Sequence, residues 1–287
     1  MKALLVNSLL LIWLFGHIAV FAQETTVPPV SNKNDAHQLF AGTGYGSNLI
    51  YYGTSISENQ PYFSGELIYA WEGGLWAGAG FFHLPGEQPF VSFVDLSAGY
   101  SYVFNKVFDA GLAISQYHSS QSFDTTLLQN FTFLSANLGV DLKFLFTKIT
   151  PGWLIANESN FYLLWDNSYF LKTPELGPKG SYFSFNPAVS FMFGSYAYLS
   201  YFYYRYGGGG VGGGGQGPGQ GGPGMPLIEE REDFRLLDMQ FSIPVAFYSG
   251  RISLEAEPAY FINFIEDENG NTSKRFFFTL GVYYKIF

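Results

Sequence analysis

The feature that most constrains this chain is the period of its hydrophobicity, which is two residues from about residue 37 onward, with almost nothing at 3.6. Leu134, Ala136, Leu138, Val140, Leu142 and Phe144 share one parity, while Ser135, Asn137, Gly139, Asp141 and Lys143 share the other. That is an extended strand with one apolar and one polar face. Leu237, Met239, Phe241, Ile243, Val245 and Phe247 repeat the pattern, as do Ile252, Leu254, Ala256, Tyr260 and Ile262. The segments 94–104, 108–116, 183–193 and 276–286 complete seven clear cases. Every charge in them falls on the polar parity: Asp95, Asp109, Asp141, Lys143, Asp238, Glu255, Glu257 and Lys285. Chance would give that outcome roughly once in a few hundred trials, so the two faces meet different surroundings.

Connection lengths choose between a soluble sandwich and a membrane barrel. Short turns are expected at Glu72-Gly73-Gly74, Asn105-Lys106, Gly194-Ser195 and Ser249-Gly250-Arg251, with a less clear one after Phe146. Between them lie longer polar loops at 54–61, 84–89, 119–129, 172–180, 207–232 and 266–274. Transmembrane barrels sort their connections in this way, with tight periplasmic turns and long outer loops. The expected fold is therefore all-β, a closed antiparallel transmembrane barrel of about 12 strands with both termini periplasmic. The count ranges from about 10 to 14, because Pro151-Gly152 and Asn157-Glu158-Ser159-Asn160 leave one or two strands open within 145–171. The segment 181–204 carries no charge, and Asn186, Pro187, Gly194 and its serines read as a hairpin.

Composition narrows the function. Aromatics at 20% and charges at 13% depart in opposite directions from soluble averages. A net charge of −9 excludes nucleic acid as a partner class, since phosphate binding needs a basic surface. The chain has no cysteine, so it has no disulfide, thiolate metal site or lipid-anchored N-terminus. Lys2, the apolar run around Leu9 to Phe15 and Val20-Phe21-Ala22 form the three regions of a secretory signal peptide spanning 1–22. Residues 23–36 then form a periplasmic tail and 37–287 the barrel.

With its alternating strands, sorted loops and terminal strand Phe276 to Phe287, the chain resembles the outer-membrane β-barrel proteins of Gram-negative bacteria. The resemblance implies Sec-type export, residence among outer-membrane lipids, and recognition of the C-terminal strand and Phe287 by the barrel-assembly machinery. Phe287 shares parity with Lys285, Tyr283 and Gly281, whereas that family usually places its terminal Phe with the apolar set.

The polar parity places Glu66, Asp95, Asp109, Asp141, Lys143, Asp238, Glu255 and Glu257 in the lumen, with Arg275 and Lys285. Their neighbours are small, among them Ser97, Gly99, Gly111, Ser115 and Ser135, which leaves interior space. An acidic lumen of intermediate width reads as a passive small-solute channel preferring cations. A barrel plugged by its own buried charges, serving a structural or partner-binding role, is the alternative. A third reading comes from His118, Ser120 and Asn130, which are similar to the His-x-Ser pair and later Asn of the outer-membrane phospholipase A family; that resemblance implies a lipid hydrolase. Here Gln121-Ser122 stands where that family has Asn-Gly, and the spacing to Asn130 is shorter. His37 and His83 show no metal spacing, and no motif calls for a cofactor or metal. Residues 207–224 hold 13 Gly in 18 positions and read as a flexible outer loop without the Lys-Ser/Thr ending of a phosphate-binding loop.

Overall fold

The computed structural model describes residues 36–51, 54, 55, 57, 59–120, 130–156, 159–177, 180–195, 234–266 and 272–287. The segment 1–22 expected as a signal peptide, most of the expected tail and the Gly-rich segment lie outside them. The fold is all-β, a closed antiparallel barrel of 12 strands. In chain order these are β1 (His37–Gly46), β2 (Tyr62–Trp71), β3 (Leu75–His83), β4 (Phe93–Val103), β5 (Phe108–Ser119), β6 (Asn130–Asp141), β7 (Phe146–Ile155) and β8 (Ser159–Ser168). The remainder are β9 (Tyr182–Phe185 with Ala188–Ser195), β10 (Phe234–Ser242 with Val245–Ser249), β11 (Ile252–Glu266) and β12 (Thr272–Lys285). Each pairs with its sequence neighbours, and β12 closes on β1 through Phe40 opposite Lys285 and Gly46 opposite Thr279. Closure leaves no sheet edge, the condition for a β-structure to stand in hydrocarbon. The breaks within β9 and β10 have a local cause. Pro187, Pro244 and Pro258 sit at one level on three adjacent strands, where each lacks the N–H a ladder requires.

The outer surface is apolar. Leu67, Leu96, Leu112, Leu138, Ile149 and Leu254 all point outward and exposed, Leu112 at 63%. A patch on this scale has no stable contact with water and matches a lipid band. Aromatic side chains border it at both ends: Trp71, Tyr100, Tyr102, Phe104 and Tyr284 at one, and Phe63, Phe81, Trp153, Phe234 and Phe276 at the other. Rings at those levels suit the two membrane interfaces.

The start of β1 and Phe287 lie at one end of the barrel, where Leu39 N–H donates to the Phe287 carbonyl at 3.2 Å. The turns at 72–74, 104–107, 142–145 and 250–251 share that end. Gly74 and Gly250 adopt positive φ there, as does Lys143 at 71°, whose N–H donates to the Asp141 carboxylate at 2.7 Å.

Several connections differ from the sequence expectation, the first being the turn expected after Phe146: the chain reverses at 142–145 and Phe146 opens β7. Gly194-Ser195 is not a turn: both residues continue β9, opposite Arg235 and Phe234 of β10. The segment 145–171 holds the extra strand instead, since β7 and β8 pair over their full length around 156–158. The total of 12 is therefore reached by a different threading, and the rest of the expected hairpin at 181–204 lies outside the described residues. As a consequence, the connection at 172–180 falls at the turn end, where Leu171 and Lys172 pair with Phe185 and Ser184, and the short 156–158 connection falls at the loop end. Strict alternation of short and long connections fails at this one place.

Candidate functional site

Inward side chains form three layers along the barrel axis. At the loop end they are apolar. Tyr62, Phe82, Phe93, Tyr117, Phe133 and Leu154 carry this layer across β2 to β7, all nearly inaccessible. Tyr162, Met192 and Leu237 continue it over β8 to β10, and Phe261 and Phe277 complete it on β11 and β12. Tyr117 stacks on Phe131 at 5.0 Å and packs tilted against Phe93 at 5.6 Å. On β1 the inward positions Gly42, Gly44 and Gly46 carry no side chain, and Leu49 and Ile50 from the following loop fill that sector. Leu84, from the β3–β4 loop, adds to the layer.

Inward rings cover glycines of neighbouring strands. A Cβ on Gly152 would sit 2.2 Å from the Phe133 ring, and one on Gly42 2.4 Å from Tyr283. Glycine is required at these positions for that close approach.

The middle layer is polar and partly accessible. Small inward residues on β3 to β6, including Gly78, Ser97, Ala113, Ser115 and Ser135, line this level, and the Trp76 ring covers Gly99. Facing them are Glu66 on β2, Asp95 on β4, and Glu255 and Glu257 on β11, all half-buried. Tyr283 O–H donates to Glu66 Oε2 at 3.3 Å, and Ser253 Oγ donates to Glu255 Oε1 at 3.3 Å. Glu255 lies within electrostatic reach of both Glu66 and Glu257. Like charges held this close raise the local concentration of any cation that enters.

Toward the turn end the lumen carries a buried charge cluster. Asp109, Asp141, Lys148 and Asp166 are 2%, 6%, 1% and 4% exposed. Lys148 stands directly opposite Asp166 across the β7–β8 ladder, and Gly139 separates it from Asp109 on β5. Lys148 and Asp166 were not identified from the sequence, because parity within 145–171 is unassignable until the turn at 156–158 is placed. The alternation of Lys148, Thr150, Gly152 and Leu154 against Ile149, Pro151, Trp153 and Ile155 is the signal that marks them.

The other lumen candidates are placed as follows. Lys143 lies in the turn after β6 rather than on a wall strand, because the chain reverses at Leu142 and Leu145. Asp238 points inward at the apolar layer, 7% exposed, with no hydrogen bond to its Oδ2 among the described residues. A bulge opposite Met192 and Phe193 turns both Leu237 and Asp238 inward, so Leu237 leaves the outward face that alternation had given it. Arg275 sits at the loop end of β12 and donates to Asn59 Oδ1. Phe287 is half exposed beyond the end of β12.

On the outer face, at the loop end, His118 and Asn130 are cross-strand partners, and His118 Nδ1 lies 2.9 Å from Asn130 Oδ1. A carbonyl oxygen only accepts, so the imidazole donates from Nδ1. The Ser120 hydroxyl does not join them: its oxygen lies 2.5 Å and 2.8 Å from the carbonyls of Val91 and Ser92. His37 pairs with the Tyr69 hydroxyl, and His83 bonds the Phe90 carbonyl at 2.7 Å. Among the described residues no group of three or more His, Asp or Glu is arranged to hold a metal ion.

No family model matches the chain, and no curated protein matches it. Among solved structures it is similar to the KdgM porin, with a TM-score of 0.46, 10% identity, and coverage of 86% of this chain and 98% of that one. The NanC porin gives 0.44 and 12%, covering 86% and 100%. The beta domain of the Bordetella autotransporter BrkA gives 0.39 and 12%, covering 87% and 99%.

Proposed function

We propose that the protein is a passive pathway for small solutes across the outer membrane of a Gram-negative bacterium, with a preference for cations. The observation that carries this reading is the middle layer, where four carboxylates on β2, β4 and β11 face a wall of glycine, alanine and serine. Acidic side chains in a narrow polar passage favour cations and exclude anions. Lys148 and Lys285 lie toward the turn end and Arg275 toward the loop end, so the carboxylates of the middle layer set the field along most of the path. A signal peptide at 1–22, Sec-type export and assembly through the β12 strand belong to the same proposal.

Current through the purified protein in a planar bilayer under a salt gradient tests it. The expected result is a reversal potential on the cation-selective side that moves toward zero in Glu255→Gln/Glu257→Gln. Absence of current over a range of salts and voltages would refute the pathway.

The apolar layer closing the loop end favours a second reading, a structural or partner-binding barrel that does not conduct. The His118–Asn130 hydrogen bond supports two members of a hydrolase set. Attack by Ser120 requires its hydroxyl to leave the Val91 and Ser92 carbonyls. Phospholipid turnover abolished by both His118→Ala and Ser120→Ala is the result that reading demands.

A further inference from the structure

We infer that the solutes admitted are alkylammonium ions, and that they follow a climbing row of phenol, hydroxyl and carboxylate groups whose first station, at the turn-side mouth, is the Tyr182 ring. This rests on the solute-pathway reading above and names the solute class that the pathway carries. Directly paired residues of an antiparallel sheet stand side by side on one face, and in a barrel of tilted strands a row of such pairs climbs along the axis as it passes around the wall. One inward row starts at Tyr182 on β9 and passes to Tyr248 on β10, Ser253 on β11 and Tyr283 on β12. Gly42 follows on β1, covered by the Tyr283 ring, and the row continues through Glu66 on β2 and Gly80 on β3 to Asp95 on β4. Its next position is Tyr117, in the apolar layer at the loop end. Every side chain along this row carries an oxygen, from the turn-side mouth to the closing layer. Glu255 stands beside it, accepting from Ser253 Oγ.

An alkylammonium already sits on the first station. Lys172 Nζ lies 3.7 Å from the centroid of the Tyr182 ring, a cation–π contact, with Glu175 Oε1 at 4.0 Å as its counter-charge. Tyr182 in turn stacks on Tyr248 at 4.9 Å, so a second ring extends the first toward the lumen. Lys172 itself pairs with Ser184, and the same inward row runs on through Ala246 to Glu255. A lysine side chain is an ammonium on a four-carbon stem, so the mouth is shaped for that head and stem. Ring faces followed by carboxylates suit such a solute, whose apolar stem lies on the rings while its head exchanges one anionic partner for the next. A bare metal ion is served less well: among the described residues no group of three or more His, Asp or Glu is arranged to hold one. Lys172 is then a tethered competitor for the station that an entering solute uses first.

Saturation-transfer difference NMR on the full chain in detergent micelles, with n-butylammonium as the probe, reads occupancy independently of current. Lys172→Met uncovers the ring and is expected to tighten apparent binding by about threefold or more, whereas Lys172→Arg keeps a cation over it and should bind as the parent does. Tyr182→Leu should weaken binding by about threefold or more, and Tyr182→Phe, which keeps the ring, should not. The gain from Lys172→Met should vanish in Lys172→Met/Tyr182→Leu. A gain that persists there reflects the lost positive charge alone and overturns the ring station, as does unchanged binding in every variant. Where Tyr182→Leu does not fold, equal affinities for Lys172→Met and Lys172→Arg overturn it.

Reversal potentials in a planar bilayer, with n-butylammonium chloride on one side and sodium chloride on the other, read the solute class. A permeability ratio of butylammonium to sodium above one is expected. A ratio of one or less overturns the alkylammonium solute and leaves the cation pathway standing. Absence of current in every variant, with the binding pattern intact, refutes the pathway and leaves alkylammonium binding at Tyr182 in place.

Discussion

Replacing Lys148 by Met removes the one ammonium from a buried cluster that also holds Asp109, Asp141 and Asp166. The butyl stem and the Met side chain have similar volume, so packing changes little and charge changes by one, from −2 to −3 for the cluster. Lys148 makes no direct ion pair among the described residues, so what is lost is its through-space attraction to the Asp109 and Asp166 carboxylates, on the order of 2 kcal/mol at an effective dielectric near 20. With Lys148 at 1% exposure and Asp166 at 4%, solvent screening gives little relief. Urea unfolding from detergent micelles reads the loss as a midpoint lower by about 1 M, for a slope near 2 kcal/mol/M. Lys148→Met/Asp166→Asn returns the cluster to −2 and should recover most of that loss. A Lys148→Met protein as stable as the parent, or a double variant no more stable than the single, would refute the charge-pairing argument.

Other perturbations separate the faces and the packing. Arg placed outward at Leu112 should destabilise the barrel in lipid by about 2–4 kcal/mol, while Arg placed inward at Ser115 should be tolerated; folding yields into vesicles check both. Gly152→Val drives a side chain into the buried Phe133 ring and should cost about 1–3 kcal/mol in the same unfolding assay. The charge variants Glu255→Gln and Glu257→Gln should each shift the reversal potential part of the way and together shift it further, without changing unfolding midpoints by more than about 1 kcal/mol in equivalent stability.

The parts of the fold that were legible in the sequence are those where a period of two runs uninterrupted. β4, β5, β6, β11 and β12 have their faces assigned by alternation alone, and Glu66, Asp95, Asp109, Glu255 and Glu257 stand on the inner wall where parity puts them. Legibility fails where something local breaks the period. Pro187 and Pro244 interrupt β9 and β10, and the bulge at Leu237 and Asp238 places two consecutive residues inward. The 156–158 turn lacks the Gly signature that marked 72–74 and 250–251, so β7 and β8 read as one uncertain stretch and their Lys148 and Asp166 went unseen. The apolar layer was hidden for a different reason. Parity separates polar from apolar faces, but Tyr62, Phe82, Phe93, Tyr117 and Phe133 are apolar residues on the otherwise polar face, and only the three-dimensional register gathers them at one level. Leu49 and Ile50 belong to a loop, where no periodicity assigns a direction.

The most direct measurement of the central claim is a nitroxide scan through residues 134–141 in β6, one introduced cysteine at a time, in lipid vesicles. Collision rates with oxygen, which concentrates in hydrocarbon, are predicted to peak at 134, 136, 138 and 140 and to fall at 135, 137, 139 and 141, with a water-soluble nickel chelate showing no peak at the even positions. Uniform accessibility along the strand, or oxygen maxima at the odd positions, would contradict a barrel whose greasy face meets lipid and whose acidic face is enclosed.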